Sequence, residues 1–423
     1  MTSSPRPGSA CPSAAEEGLT TSMDFLLNEK QQELAALGRL ILADQTTPQR
    51  QREVEAGGDR FEPVLWADLA RSGILAAALP EALGGAGLGL LEQCSVLEEI
   101  GRTVAPVPYL ASIVLGAGAI ARFGTPDQQE RWAAPAGRGE LILTAALSEE
   151  DGDDPRTPTA TAERVPANPP ASTADADDPP AARAERVKGD GEAGGGWLLT
   201  GTKTAVPAGQ RADLFLVPAA TATGVAVFLV APDDPGEVAV QPQRLVDGDV
   251  AGRLELTRVE LADDRMLGSP ATGAEITGWL VSTGTVGLCA LQLGVAARAL
   301  ELTSEHAKNR VQFGRPIGSF QAVTQRLADA YIDVEAVRLT MWQAAWRLAS
   351  GLPGETEIAT AKFWAADAGH RVAHTAVHVH GGIGIDTDYP LHRYFTAAKR
   401  AEFELGGATA QLLRIGAALA SEH

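Results

Sequence analysis

The segment WLVSTGTVGLCALQLGVAARALELTSEHAKNR, residues 279–310, has the length and the apolar periodicity of one long helix. A second segment of this kind, QRLADAYIDVEAVRLTMWQAAWRLAS, follows at residues 325–350. Helices of this length are typical of a four-helix bundle, in which each helix spans the whole core. The sequence therefore predicts a C-terminal helical bundle over residues 268–423.

The chain before this bundle divides into two parts with different periodicities. Residues 23–138 contain Gly- or Pro-punctuated helical patterns such as MDFLLNEKQQELAALGRLIL and VLWADLARSGIL. Residues 139–267 contain short apolar runs broken by Gly, Pro and Asp, among them LILTAALS, WLLTGTKTAV and VAVFLVA, which are typical of antiparallel strands. We therefore predict a mainly α protein with a β middle domain, which lies between an N-terminal helical domain and the bundle.

Two segments lack any apolar period. Residues 1–22 are rich in Ser, Pro and Gly, and residues from about 155 to 195 are dominated by Pro, Ala, Asp and Gly. Neither segment has an apolar face to bury, so we expect a disordered N-terminal extension and a disordered insertion in the β-domain.

Composition excludes some partners and compartments. The formal net charge of -19 argues against nucleic acid or an anionic membrane as a surface-wide partner. No run of the sequence is expected to be long and apolar enough to cross a bilayer. Cys11, Cys94 and Cys289 are far apart and have neither metal nor disulfide spacing. We therefore expect a cytoplasmic protein.

Five strings, taken in order, resemble the acyl-CoA dehydrogenase family from about residue 23 to the end, apart from the insertion. They are LPEALGGAGLGLLEQ, ARFGTPDQQERW, LTGTKTAVPAGQRADLFLV, NRVQFGRPIGSFQAV and HVHGGIGIDTDYPLHRYFTAAKR. The resemblance implies a helical domain, a β-barrel-like domain and a four-helix bundle, assembled as a tetramer. It also implies that FAD removes the α and β hydrogens of an acyl-CoA thioester and passes electrons to an electron-transfer flavoprotein or a similar acceptor.

The same resemblance implies residues for the nucleotide part of the FAD site. Arg310 would pair with the pyrophosphate of the FAD of a neighbouring subunit, because a permanently charged guanidinium suits a diphosphate. Around it, the implied contacts to the nucleotide come from Gln312, Phe313, Gln321, His378, Gly381 and Gly382. The family commonly has Gln at the position of His378, and the two glycines allow close backbone approach.

The histidines of this region raise a metal hypothesis. His370, His374 and His378 are spaced four residues apart on one helix face, with His380 close by, and His at such spacing can bind zinc. No nearby Cys and no HExxH pattern completes a site, and the resemblance already explains the segment. We therefore expect no metal.

The chain departs from the family where the flavin ring and the catalytic base are usual. Ala205 and Pro207 stand where an aromatic side chain and a hydroxyl residue are common. Counting along the C-terminal motif puts the usual base at Leu405 or Gly407, according to the register.

Some members carry the base on a preceding helix, where this chain has Gly284. None of these positions is acidic, and Glu404 is the nearest carboxylate.

Three hypotheses follow. The missing base and the strings GRTVAPVPYLAS, AALSE and AKRAEFELGG resemble the heterotetrameric (α2β2) enzymes of steroid-degrading bacteria, in which one of two unlike subunits supplies the base. The chain would then act on a bulky acyl-CoA, such as a steroid side chain, with a second acyl-CoA dehydrogenase-like subunit. The alternatives are a self-sufficient homotetramer that uses Glu404, or a flavin-free binding or scaffold subunit of the same fold.

Overall fold

The computed structural model describes residues 29–152, 154–165 and 195–421 of the 423-residue chain. Helices come first, a β-sheet follows, and helices return to the end. This order confirms the predicted mainly α fold with a β middle domain. The N-terminal extension that we expect to be disordered, residues 1–22, lies outside the described residues.

The N-terminal part consists of short helices. Pro starts α2 and α3, where its missing N–H costs nothing, and the Thr47 hydroxyl caps α2. Two π-helical segments, Tyr109–Ala117 and Gln129–Ala133, lead directly into α5 and α7. The helices are α1 (Glu29–Gln45), α2 (Pro48–Ala56), α3 (Pro63–Arg71), α4 (Leu90–Thr103), α5 (Gly118–Phe123), α6 (Pro126–Gln128) and α7 (Ala134–Gly137).

The middle part is an eight-stranded sheet, in which the hydrogen-bonded order of seven strands is β6-β7-β3-β2-β4-β5-β8. Most neighbours are antiparallel, as predicted, but β1 and β2 each pair with β4 in parallel. The strands are β1 (Leu143–Ala145), β2 (Thr161–Val165), β3 (Gly196–Val206), β4 (Leu214–Thr221), β5 (Gly224–Val230), β6 (Glu237–Arg244), β7 (Val250–Ala262) and β8 (Met266–Leu267).

Strand β2 corrects the expected extent of the insertion. It pairs with β3 from Thr161↔Thr200 to Val165↔Gly196, and Thr161 also pairs with Ala220 of β4. The prediction of disorder from about residue 155 is therefore wrong for residues 161–165. Backbone hydrogen bonds to two strands hold this segment in the sheet, and such bonds leave no apolar period in the sequence. Residues 166–194 lie outside the described residues.

The C-terminal part is built around one long helix. It comprises α8 (Gly273–Asn309), a hairpin of β9 (Val311–Gln312) and β10 (Arg315–Pro316), α9 (Gln321–Ala349), α10 (Glu355–His380), α11 (Leu391–Phe403) and α12 (Ala408–Ser421).

Helix α8 corrects our expectation that no segment is apolar enough to cross a membrane. Its most apolar window has a mean hydropathy of 1.6, so by length and composition the helix could cross a membrane. Within the protein, however, 89% of that window is buried. Its apolar character is therefore that of a core helix, buried on all sides by protein.

The backbones of α4 and α8 touch at two glycines. A β-carbon on Gly294 would lie 2.0 Å from the carbonyl oxygen of Glu98, and one on Gly101 would lie 2.1 Å from that of Leu291. Neither position has room for a side chain. This close approach fixes α8 against the N-terminal helices.

A buried ion pair joins the segment after β1 to strand β3. The Nζ atom of Lys203 donates to Oε1 of Glu149 at 2.6 Å, and the two side chains are only 0% and 4% exposed. The amides of Thr159 and Ala160 also donate to Glu149. Burial opposes ionisation of Glu149, but Lys203 and the two amides outweigh it, so its pKa lies below the usual value. The pair therefore holds the segment that leads into β2.

The register of β2 and β3 predicts which part of the insertion is dispensable. Val165 and Gly196 are paired, so a two-residue Asn-Gly turn in place of residues 166–195 can close the hairpin. We expect the melting temperature of this variant to match that of the full chain in a calorimetric scan.

A deletion of residues 158–194 is the matched control, because it also removes β2. It should lower the melting temperature by roughly 5 °C or more. Equal stability of the two deletion variants would contradict the role of β2.

The buried pair predicts unequal effects of two adjacent substitutions. Glu149→Gln leaves Lys203 buried and uncompensated, so the free energy of unfolding in a denaturant titration should fall by about 3–5 kcal/mol. Glu150→Gln is the control, since Glu150 is exposed and pairs with Arg253 at the surface, where ion pairs contribute little. The assignment fails if both variants unfold at the same denaturant concentration.

Candidate functional site

A cavity of about 660 Å³ lies between the β-domain and the helices of both flanking parts. Its walls come from α4, the π-helical segment Tyr109–Ala117, α8, the turn between β6 and β7, and residues 404–406 of the segment that links α11 to α12. The helical walls are aliphatic, and they include Leu97, Ile100, Leu110, Leu115, Leu288 and Val295. The cavity can therefore hold an apolar body of substantial size.

Two of the positions where the resemblance implies a base are in contact with each other in the wall of this cavity. A β-carbon on Gly284 of α8 would lie 3.2 Å from Cδ1 of Leu405, and 3.5 Å from Cδ1 of Leu115. Gly407, the position given by the other register, has the carbonyl oxygen of Glu402 as its nearest neighbour. The wall at this point is aliphatic and carries no proton acceptor.

Glu404 borders the cavity but its carboxylate is already paired. It lies 3.3 Å from Nε of Arg400, whose Nη1 also contacts Asp249 and, at 3.2 Å, Asp247. Burial of Arg400 disfavours its charge, yet these three carboxylates outweigh burial and raise its pKa. Glu404 is therefore one of three acids that neutralise a permanent cation.

This ion-pair network joins three parts of the chain. Asp247 and Asp249 lie in the turn between β6 and β7, Arg400 lies on α11, and Asp247 also pairs with Arg60, which follows α2, at 3.6 Å. Our sequence reasoning missed it. The string DGD at 247–249 indicates a turn with two carboxylates. The sequence does not indicate which arginine or lysine side chains pair with them.

The β-domain wall of the cavity has no aromatic side chain among its described residues. Ala205 and Pro207 both border it. The amide of Ala205 donates to Oε1 of Gln243 at 2.7 Å, and the carbonyl of Pro207 accepts from the Thr144 hydroxyl at 2.6 Å. Both backbone groups are thus already satisfied within the protein. The wall offers neither an aromatic surface nor a side-chain hydroxyl at these two positions.

Arg310 and its neighbours lie at the far end of the bundle, on the surface. Arg310 directly follows α8, and the β9–β10 hairpin comes next, with Phe313 at its tip. Phe313 is 94% exposed, although its ring meets Phe320 edge to face with centroids 6.2 Å apart. Gln312 is on the same hairpin, and Gln321 begins α9. An exposed aromatic beside an exposed Arg is typical of a surface that meets another molecule.

The second glycine-rich motif lies at the same end of the bundle. The rings of His306 on α8 and His380 on α10 stack with centroids 4.3 Å apart, so the C-terminal ends of both helices meet. His378 is exposed in the last turn of α10, and Gly381 and Gly382 follow it. Gly381 has φ of +66° and ψ of −141°, a conformation that only glycine adopts readily.

The predicted site residues therefore form two separate regions. Those for the nucleotide share one exposed end of the bundle, where an arginine and two glycines have the chemistry that a diphosphate requires. The positions for the flavin ring and the base line the cavity and fit neither the ring nor proton abstraction.

The histidines of the metal hypothesis make other contacts in the structure. His370 stacks on His374, with ring centroids 4.4 Å apart, and its Nδ1 lies within hydrogen-bond distance of both Glu402 and Lys399. The ring of His380 instead stacks on that of His306. In residues 29–152, 154–165 and 195–421, no group of three or more His, Cys, Asp or Glu side chains could hold a metal.

Comparison with known proteins finds one family along the chain. The family model described as the acyl-CoA dehydrogenase N-terminal domain matches residues 28–140, and the one described as the acyl-CoA dehydrogenase C-terminal domain matches residues 272–420. Acyl-CoA dehydrogenase FadE27 of Mycobacterium tuberculosis is 47% identical over 406 residues, which cover 94% of this chain and 99% of that protein. The human mitochondrial short-chain specific acyl-CoA dehydrogenase is 30% identical, and the alignment covers 81% of this chain and 79% of that protein.

Two solved structures are also similar. A chain of the ChsE4–ChsE5 complex from Mycobacterium tuberculosis superposes with a TM-score of 0.83 at 48% identity, covering 94% of this chain and 99% of that one. A chain of a Tcur3481–Tcur3483 steroid ACAD variant superposes with a TM-score of 0.80 at 40% identity, covering 93% and 98%. With this fold, these motifs and these relatives, the chain belongs to the acyl-CoA dehydrogenase family, whose members are FAD-dependent flavoproteins.

Proposed function

We propose that this chain is the subunit without a base in a heteromeric, FAD-dependent acyl-CoA dehydrogenase. It contributes the nucleotide half of the FAD site, and a second acyl-CoA dehydrogenase-like subunit contributes the base and the pocket of the flavin ring. The observation that carries the proposal is the contact between Gly284 and Leu405, because two of the three positions implied for a base lie there and neither has a carboxylate.

Dehydrogenation of a thioester needs a positioned carboxylate to take the α-proton. FAD, when bound, accepts the hydride from the β-carbon. Glu404 is poorly suited as the base, since protonating it would remove one of the three charges that compensate Arg400. This pairing argues against the alternative of a self-sufficient homotetramer.

The exposed end of the bundle supports a role across a subunit interface. Arg310 has no ion-pair partner within the described part of the chain, and the β9–β10 hairpin projects Phe313 into solvent. A diphosphate would gain charge-assisted hydrogen bonds from Arg310 and close approach to Gly381. These contacts argue against the other alternative, a flavin-free scaffold. An α2β2 assembly would place this end against the ring pocket of the partner.

The relatives favour a bulky acyl group. The steroid ACAD and the ChsE4–ChsE5 complex are each named as assemblies of two proteins. We propose a steroid-type acyl-CoA as substrate of the complex, an electron-transfer flavoprotein as the electron acceptor and the cytoplasm as the compartment. The two buried cysteines, Cys94 and Cys289, are free, as in a reducing compartment.

An absorbance spectrum distinguishes the three hypotheses. The purified chain alone should lack the flavin bands, and the chain co-purified with its partner should show them. Bands in the lone chain would support the homotetramer, and their absence from both preparations would support the scaffold.

Arg310→Ala tests the nucleotide half-site. Loss of a charge-assisted hydrogen bond should weaken FAD binding by the assembled complex by about 1.5–3 kcal/mol, measured as flavin released on dilution. Arg326→Ala is the control, because Arg326 is an exposed arginine on the adjoining helix α9. Equal flavin retention in the two variants would rule out the role of Arg310.

The missing base predicts the activity of separate and paired subunits. The lone chain should not exchange the α-hydrogens of an acyl-CoA with solvent deuterium, whereas the pair should exchange them and turn over. Glu404→Gln in the pair should leave turnover within about twofold, because the residue carries no proton in the reaction. Turnover by the lone chain that Glu404→Gln abolishes would instead identify Glu404 as the base.

A further inference from the structure

Two stacked imidazole rings lie at the exposed end of the bundle. His306 is in the last turn of α8, and its carbonyl oxygen accepts from the amide of Arg310 at 2.8 Å. His380 ends α10, directly before Gly381. The two rings have centroids 4.3 Å apart and an angle of 27° between their planes. The stack therefore connects the arginine and the glycine that the proposed function assigns to the diphosphate.

The backbone at this end disfavours an anion. The C-terminal ends of α8 and α10 meet here, and each is the negative end of a helix dipole, equivalent to about half an elementary charge. A diphosphate adds a negative charge on each of its phosphates, whereas Arg310 supplies a single positive charge. A further cation beside Arg310 would therefore favour binding.

The stack can take up one proton, and His306 is the ring suited to it. Nδ1 of His380 lies 2.8 Å from the carbonyl oxygen of Ala376 and so must donate to it, and its Nε2 faces the Tyr389 hydroxyl at 3.2 Å. A proton on Nε2 would reverse the bond with Tyr389. Within the described part of the chain, neither ring nitrogen of His306 makes a hydrogen bond, so this ring can be protonated without losing one.

Without a ligand, the surroundings favour the neutral stack. Burial lowers the pKa of His306 below its usual value of 6.5, and the charge of Arg310 lowers it further. Burial and the neighbouring His306 also lower the pKa of His380, although the bond to Ala376 opposes them. A diphosphate beside Arg310 would compensate the charge of the arginine and so raise the pKa of His306.

Other ionisable groups surround the stack. The segment Ile317–Ser319 packs on α8 beside Ala307 and has no ionisable side chain. Of the remaining groups, only His378 and His392 are of the residue type that titrates near neutral pH, so they are the alternative sites for the proton. The surrounding groups are Arg298 and Glu305 on α8, His378 on α10, and Tyr389 and His392 at the start of α11.

We infer that His306 takes up a proton from solvent when the diphosphate of FAD binds beside Arg310, so that the stacked pair carries the second positive charge of the half-site. A lone pair on a ring nitrogen of His306 accepts this proton. The inference rests on the proposed function, since FAD is the anion brought to this end. Proton and cofactor then favour each other's binding, and the complex holds FAD more tightly in mild acid.

The test is the pH dependence of flavin binding by the co-purified complex. Free and bound FAD are measured by equilibrium dialysis from about pH 7.5 to about pH 5.5, on both sides of the usual pKa of His. The affinity of the wild type should rise about three- to tenfold as the pH falls, since each unit of pKa shift corresponds to at most a tenfold change. His306→Phe keeps an aromatic ring in the stack but accepts no proton, so this rise should disappear.

Two further variants identify the ring that takes the proton. His378→Gln and His392→Gln each remove one of the alternative sites, and both should keep the rise in affinity in mild acid. Loss of the rise in either variant, or an equal rise in His306→Phe and the wild type, would overturn the inference. The proposed function would survive such a result, whereas a complex without flavin would refute the proposed function and this inference together.

A measurement without flavin tests the coupling between Arg310 and His306. In the full chain with isotope-labelled histidine, the pKa of His306 is followed by NMR, and His306→Phe assigns its signal. Arg310→Gln removes the neighbouring charge and should raise the pKa of His306 toward 6.5. Lys308→Gln is the control, because it removes an exposed cation from the same turn and should leave that pKa unchanged. Equal pKa values of His306 in the wild type and Arg310→Gln would contradict the coupling.

Discussion

The close approach of α4 and α8 positions most of the candidate site. Gly101 and Gly294 leave no space for a side chain between the two backbones, so the helices can touch only in this register. Helix α8 then carries Gly284 into the cavity near its start and ends at Arg310 on the surface. One helix therefore positions both the cavity wall and the exposed end of the bundle that carries Arg310, and a shift of α8 would move the two together.

The two regions of the site differ in what they lack. The exposed end of the bundle has Arg310, which makes no ion pair among the described residues, and glycines with open space, but it faces solvent and encloses nothing. The cavity encloses a large volume, but its acids are committed to ion pairs with Arg60, Arg211, Arg400 and Lys203, and its β-domain wall has no aromatic side chain among the described residues. Such a division of properties suits a subunit whose binding surfaces are used by an assembly rather than by the chain alone.

Periodicity was enough to predict the order of helices and strands, because long helices such as α8 repeat their pattern many times. It was not enough for β2, whose five residues are held by backbone hydrogen bonds to β3 and β4. The motifs predicted Arg310 and Gly381 as site residues, and the structure puts both at one end of the bundle, while the absence of an acid at Gly284 was visible in the sequence. The pairing of Glu404 was not, because Arg400 gains its other acids from a turn about 150 residues away, and no local rule links them.

The contact between Gly284 and Leu405 also bears on where a base could work in this chain. A carboxylate introduced at position 284 would be enclosed by Leu115 and Leu405, and burial among aliphatic side chains would raise its pKa and keep it protonated. A single substitution there would thus yield a neutral acid and a crowded wall instead of a base. Under the proposed function, a working base at this point would therefore require coordinated changes on at least two segments of the chain.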